Sequence, residues 1–233
     1  MDQQFPDEFV TWQHKTFIGV KVDEIFGMDS KNGRVWTELA RQIYCETGNQ
    51  DYRVIEHFDN GAPYLENYSG RISITHTSHL FAVATLPKTP EVNLEIFNPR
   101  SCMGIDAEST NREQVLRVRE KFLSEEELQL IPADDLQTNI LAWTIKEAII
   151  KASLNSGINY KEDIKIIRLP NILQDPIKGN LRDLGDALLF LKETVPYEMK
   201  LFSYHSYGCI ITIAITPQAA KFRKNAMIYL FIE

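Results

Sequence analysis

An α+β fold is predicted for this chain of 233 residues. Short strand-like segments are grouped apart from two long helical segments, and 44% of residues are hydrophobic, enough for a large core. No regular strand-helix alternation marks a parallel sheet. In chain order, Thr16 to Ile25 reads as a strand and Val35 to Glu46 as a helix, while Arg71 to Thr75 and Phe81 to Thr85 read as strands paired through a short turn. Thr85 to Ser101, with Pro87, Pro90 and Pro99, reads as a surface loop or hairpin insertion. A strand at Asp106 follows, then helices over Arg112 to Leu130 and Leu136 to Leu154. Strands are expected at Ile164 to Arg168, Ala187 to Lys192, Tyr197 to His205 and Gly208 to Thr216. The apolar tail, Met227 to Ile232, is expected either to add a strand or to contact another chain.

Composition narrows the function classes. The net charge of −7 argues against general nucleic-acid binding. The amino end lacks a basic start followed by an apolar run, and no stretch is long and apolar enough to span a bilayer, so a cytoplasmic protein is expected. Cys45, Cys102 and Cys209 are widely spaced and odd in number, which suits reduced thiols.

The chemistry concentrates in two segments. In Gly104-Ile105-Asp106-Ala107-Glu108, strand alternation puts Asp106 and Glu108 on one face, about 7 Å apart, where they can converge on one hard cation. In Trp143-Thr144-Ile145-Lys146-Glu147-Ala148-Ile149-Ile150-Lys151, the helix buries Ile145, Ala148, Ile149 and Ala152 on one face. Trp143, Ile150 and Leu154 form a second stripe, and Glu147 falls inside it, so this carboxylate is expected to be part-buried with Lys146 and Lys151 to either side. Singly, each segment has an ordinary reading: an exposed strand end, and an i, i+4 Glu-Lys pair on a solvated helix.

Together the segments resemble the signature pair of the 4'-phosphopantetheinyl transferases, Gly-Ile-Asp-x-Glu followed by Trp-Ser-x-Lys-Glu-Ala-x-x-Lys. Between them, Phe122-Leu123-Ser124-Glu125-Glu126-Glu127 is similar to the family's Phe-x-Ser-x-Glu-Glu, and upstream Thr75-His76-Thr77 resembles its Ser-His-Ser strand. Threonines 75, 77 and 144 stand where the family has serines. The likeness spans about Asp59 to Arg168.

The resemblance implies two similar halves in a pseudo-twofold arrangement, each a small antiparallel sheet packed with a long helix, divided as 1–101 and 102–233. It implies transfer of 4'-phosphopantetheine from coenzyme A to a serine of an apo acyl or peptidyl carrier protein, releasing 3',5'-ADP, as in the holo-[acyl-carrier-protein] synthases of fatty-acid biosynthesis. Asp106, Glu108 and Glu147 would be ligands of Mg²⁺, with Mn²⁺ accepted by the same set. Glu147 is either a third ligand or the base for the serine proton. Lys146 and Lys151 would neutralise phosphate oxygens during transfer.

For the coenzyme, the resemblance points to His76 and Thr75, to Asn60-Gly61 in Asn60-Gly61-Ala62-Pro63 beside the adenine, and to Arg41 at the 3'-phosphate. Each has a plain counterpart: a capped or core histidine, an ordinary turn, a solvated helix arginine. His76-x-x-His79 does not read as zinc, because positions 76 and 79 point to opposite faces of a strand and no third ligand lies nearby. Two rivals are a non-catalytic coenzyme A-binding module and a metal-dependent nucleotide hydrolase, although no Gly-x-x-x-x-Gly-Lys loop supports the latter. Membrane and nucleic-acid partners are not expected, and a monomer is.

Overall fold

The computed structural model describes residues 8–10, 13–18, 55–65, 70–86, 97–99, 102–155, 157–174, 178–180, 183–191, 195–220 and 226–232. Among these the fold is α+β, with two main sheets and four helices. Strands β1 (Glu8–Val10) and β2 (Gln13–Ile18) open the chain, followed by the hairpin of β3 (Ile55–His57) and β4 (Pro63–Leu65) and by β5 (Arg71–His76) and β6 (Leu80–Leu86). Next come β7 (Met103–Ser109), α1 (Gln114–Phe122), α2 (Glu125–Leu130) and α3 (Leu136–Ser153). The remainder is β8 (Ile164–Arg168), β9 (Ile172–Leu173), β10 (Lys178–Asn180), β11 (Gly185–Leu189), β12 (Tyr197–Ser206), β13 (Cys209–Ile215), α4 (Pro217–Ala220) and β14 (Met227–Ile232). The helix expected at Val35 to Glu46, most of the strand expected beyond Ile18, and much of the Thr85 to Ser101 connection lie outside the described residues.

The larger sheet has the order β7-β13-β12-β11-β8, antiparallel throughout, with β9 joining β12 in parallel. The smaller is β2-β14-β6-β5. Residue alternation explains how they stack. Ile105 and Ala107 of β7 and Ile211, Ile213 and Ile215 of β13 meet Leu80, Ala82 and Ala84 of β6 and Ile228 and Leu230 of β14 in one core. The opposite face of the larger sheet, including Ile210, Ala214, Met199 and Ala187, packs on Ile145, Ala148, Ile149 and Ala152 of α3. The larger sheet is thus the middle of three layers, and α3 buries one apolar stripe against it while Trp143 and Ile150 of the second stripe stay half-buried.

The C-terminal tail adds a strand. β14 runs parallel to β2 and antiparallel to β6, buried along its whole length, as a continuous apolar run must be when it sits at the middle of a sheet. The end of the chain therefore completes the sheet formed by its beginning.

The helix expected over Arg112 to Leu130 is two helices. The break at Leu123–Ser124 has a local cause: the Ser124 hydroxyl accepts from the Glu127 amide and the Glu127 carboxylate accepts from the Ser124 amide, a reciprocal cap that starts α2 afresh. The third helix starts on Asp135, whose side chain caps Thr138, and stops at Leu154, which takes a left-handed conformation with φ 58°.

Candidate active site

The site begins with a glycine. A Cβ on Gly104 would lie 2.0 Å from the Ala148 carbonyl oxygen and 2.6 Å from the Ala152 amide nitrogen, so only glycine lets β7 rest on the backbone of α3. Asp106 and Glu108 share the face of Gly104, while Ile105 and Ala107 enter the core between the sheets. The close seating brings the Lys151 ammonium to 2.7 Å from Asp106 Oδ1.

A second contact fixes Asp106 from the other sheet. The edges of β5 and β7 meet through side chains: Ser73 Oγ accepts from the Ile105 amide at 3.0 Å and Thr75 Oγ1 from the Ala107 amide at 3.1 Å. The Thr75 hydroxyl donates its proton to Asp106 Oδ1 at 2.9 Å. Asp106 Oδ2 is buried and has no hydrogen-bond partner among the described residues. An unpartnered oxygen on a buried carboxylate is a costly arrangement that an additional ligand would relieve.

The other two carboxylates stand by donors of their own. Glu108 Oε1 accepts from the Trp143 indole at 3.1 Å and pairs with Arg112. Glu147 Oε1 accepts from the Tyr160 hydroxyl at 2.5 Å. Burial pushes the Glu147 carboxyl above the usual carboxylate range and the nearby Asp106 charge adds to it, whereas Tyr160, Lys151 and Arg112 pull the other way. Asp106 and Glu147 therefore lie in one electrostatic neighbourhood. As the side chains are placed, no three His, Cys, Asp or Glu among the described residues form a ready metal cluster. The donor set is nevertheless all oxygen, as a hard divalent cation requires, and the buried Asp106 Oδ2 has no hydrogen-bond partner among the described residues. On those grounds Asp106, Glu108 and Glu147 fit such an ion.

Beside Lys151 lies a cavity of about 490 Å³, lined by residues of β5, the β3–β4 turn and the end of α3. His76, Asn60, Gly61, Arg71, Lys151 and Leu154 all contribute to it. The turn is built on Gly61 at φ 80° and on Asn60, whose side-chain oxygen accepts from the Ala62 amide at 3.0 Å while its amide group donates to the Leu154 carbonyl at 3.2 Å. That last bond ties the turn to the C-terminus of α3. Arg71 is buried, donates to the Lys151 carbonyl at 3.3 Å, and is lowered by desolvation to a pKa of about 10. Burial, and then the Lys151 ammonium, lower His76 from the ordinary histidine value.

Two expected site residues already have partners within the fold. Lys146 is fully buried on the far side of α3, where its ammonium donates to Glu127 Oε2 at 2.8 Å and to the carbonyls of Tyr160 and Ile164 at 2.7 and 2.8 Å. All three of its donors are used, so it has none to offer a phosphate. Thr75 is also buried, with its hydroxyl spent on Asp106 and Ala107, and so it braces the acid rather than touching a coenzyme. Arg41 lies outside the described residues. His79 stands apart from His76, hydrogen-bonded to the Tyr207 carbonyl at 3.0 Å.

Sequence reasoning missed Arg112, Tyr160 and Arg71 at the site. None carries a local signal: Arg112 sits in a turn before α1, Tyr160 in an irregular segment after α3, and Arg71 opens a strand. Glu127 had one, the Ser-x-x-Glu cap, which also places its carboxylate on Lys146 and on the Ile166 amide at 2.8 Å.

No curated protein matches the chain significantly. No more than a part of the chain is matched: residues 102–205, from the strand bearing Asp106 through α3 and most of the larger sheet, are similar to the family model of the 4'-phosphopantetheinyl transferase superfamily.

Proposed function

We propose that this protein transfers 4'-phosphopantetheine from coenzyme A to a serine of an apo acyl or peptidyl carrier protein, in the manner of a holo-[acyl-carrier-protein] synthase. The superfamily match supports phosphopantetheine transfer in general. The observation that carries the finer reading is Asp106, a buried carboxylate with one oxygen held by Lys151 and Thr75 and the other without a hydrogen-bond partner among the described residues, its Lys151 partner lining a cavity large enough for part of a nucleotide. In this reading residues 1–101 and 102–233 are two halves related by a pseudo-twofold, with the coenzyme between them and the tail strand crossing back.

The roles follow from placement. Lys151, at the edge of the cavity and part-exposed, meets the diphosphate and stabilises charge on the departing 3',5'-ADP. His76, Asn60, Gly61 and Arg71 line the space for the adenosine end. A carrier serine oxygen attacks the phosphorus next to pantetheine, the bond from that phosphorus to the bridging oxygen breaks, and the serine proton goes to Glu147. A magnesium ion held by Asp106, Glu108 and Glu147 would supply neutralisation of the diphosphate. Mn²⁺ suits the same ligands. The working protein is taken to be a cytoplasmic monomer. Among the described residues no helix is long and apolar enough to cross a membrane.

Incubation with coenzyme A, Mg²⁺ and an apo acyl carrier protein is expected to add one phosphopantetheinyl group to a carrier serine, read by intact mass. Binding of coenzyme A with no mass gain on any apo carrier would identify a binding module instead. Release of ADP from coenzyme A without a carrier would identify a hydrolase.

A further inference from the structure

Tyr160 makes two contacts with α3, through different atoms. Its backbone carbonyl accepts from the buried Lys146 ammonium at 2.7 Å, and its hydroxyl donates to Glu147 Oε1 at 2.5 Å. Lys146 and Glu147 are neighbours on α3, so this residue grips both, one inside the core and one half-buried. The ring is held as well: it stacks on Trp143 with centroids 5.8 Å apart and planes 14° from parallel, and Trp143 packs edge-on against Phe122 at 5.0 Å. The Trp143 indole donates to Glu108. A stacked aromatic pair thus gives one hydrogen bond to each of two carboxylates, Glu147 and Glu108.

We infer that Tyr160 is a positioning residue, its hydroxyl holding the Glu147 carboxylate in the orientation that metal and serine require while Trp143 does the same for Glu108. The inference rests on the proposed transferase reading for its kinetic consequence alone. Donors that orient ligating carboxylates commonly matter as much as tenfold to a hundredfold in metal affinity or activity. The residue also permits a clean test. Its contribution to the fold is made by a backbone carbonyl, which any substitution keeps, and by the ring, which phenylalanine keeps; Tyr160→Phe removes the hydroxyl alone.

The experiment compares wild type, Y160F, E147Q and the double variant E147Q/Y160F. Mn²⁺ affinity is read from the free-ion electron paramagnetic resonance signal, and transfer is read as kcat and as KM for coenzyme A. In Y160F, Mn²⁺ affinity and kcat are each expected to fall about tenfold, with KM for coenzyme A little changed. In the E147Q background the same substitution should change Mn²⁺ affinity no further, because its effect runs through Glu147. Wild-type Mn²⁺ affinity and kcat in Y160F would overturn the inference, as would an equal loss in both backgrounds or a wild-type protein that binds no Mn²⁺. If wild type binds Mn²⁺ yet transfers nothing, the transferase reading fails by itself, and the Mn²⁺ comparison still decides the role of Tyr160.

Discussion

Two lysine-carboxylate pairs on one helix, five residues apart, have opposite characters. Lys146 and Glu127 meet at 2.8 Å with side chains 0% and 2% exposed, and every polar atom of the pair is accounted for by Ser124, Tyr160, Ile164 or Ile166. Lys151 and Asp106 meet at 2.7 Å, but the lysine is 30% exposed at the rim of a cavity and Asp106 retains a buried oxygen with no partner among the described residues. A closed polar network fixes α3 against α2 and β8, since all its bonding capacity is used within the fold. An open one has capacity left for something from outside. The difference between structure and site here lies in saturation, not in residue type.

The comparison can be broken most forcefully at Lys146. Lys146→Met strands the Glu127 charge in the core, and roughly 3–5 kcal/mol of stability should be lost, as when one partner of a buried pair is removed. Urea denaturation measures this, and adding Glu127→Gln should restore a large part of it. A K146M protein that folds normally would mean the pair is not the closed network described.

Asp106→Asn is expected to do the reverse. Transfer should fall by roughly 10² to 10³, the range for losing one preorganised electrostatic group, while the urea midpoint moves far less than in K146M. Loss of fold in place of activity would erase the contrast between the two pairs.

Gly104→Ala tests the seating that brings β7 to α3. With backbone atoms at 2.0 and 2.6 Å from the added methyl carbon, strand and helix must separate, and a loss of at least about 1–3 kcal/mol is expected, as for overpacking. Because separation also lengthens the reach from Lys151 to Asp106, activity per folded molecule should drop too.

The smallest effect concerns pH. His76 is held below the ordinary histidine value by burial and then by Lys151, against the pull of Asp106. The unfolded chain therefore binds the proton at higher pH than the folded one. Stability should be level above about pH 6.5 and should decline as pH falls from there through the folded value of His76. His76→Asn should flatten that decline in a urea series, and an unchanged slope would show that neither burial nor Lys151 holds the histidine below its ordinary value.

Much of the site could be read from local pattern. Alternation put Asp106 and Glu108 on the same face of β7, and helical period placed Glu147 part-buried in a second apolar stripe, because both are short-range consequences of backbone geometry. The same period could not separate Lys146 from Lys151, since both flank Glu147 and only long-range neighbours distinguish them. Thr75 illustrates the point again: its hydroxyl reaches Asp106 only because the edges of β5 and β7 align across the two sheets. The run from Arg112 to Leu130 reads as one helix when apolar period outweighs the Ser124–Glu127 cap, whereas the cap decides in the folded chain.

The sequence alone determined that an acidic strand and a Lys-Glu helix exist, where they begin and end, and that the tail is apolar enough to be buried. Tertiary structure decided which lysine is sealed and which is open, which donors hold the carboxylates, and that the tail strand completes the first sheet. The physical reason is range: periodicity and capping act within a few residues, but a hydrogen bond is satisfied by whatever the fold brings near, however distant along the chain.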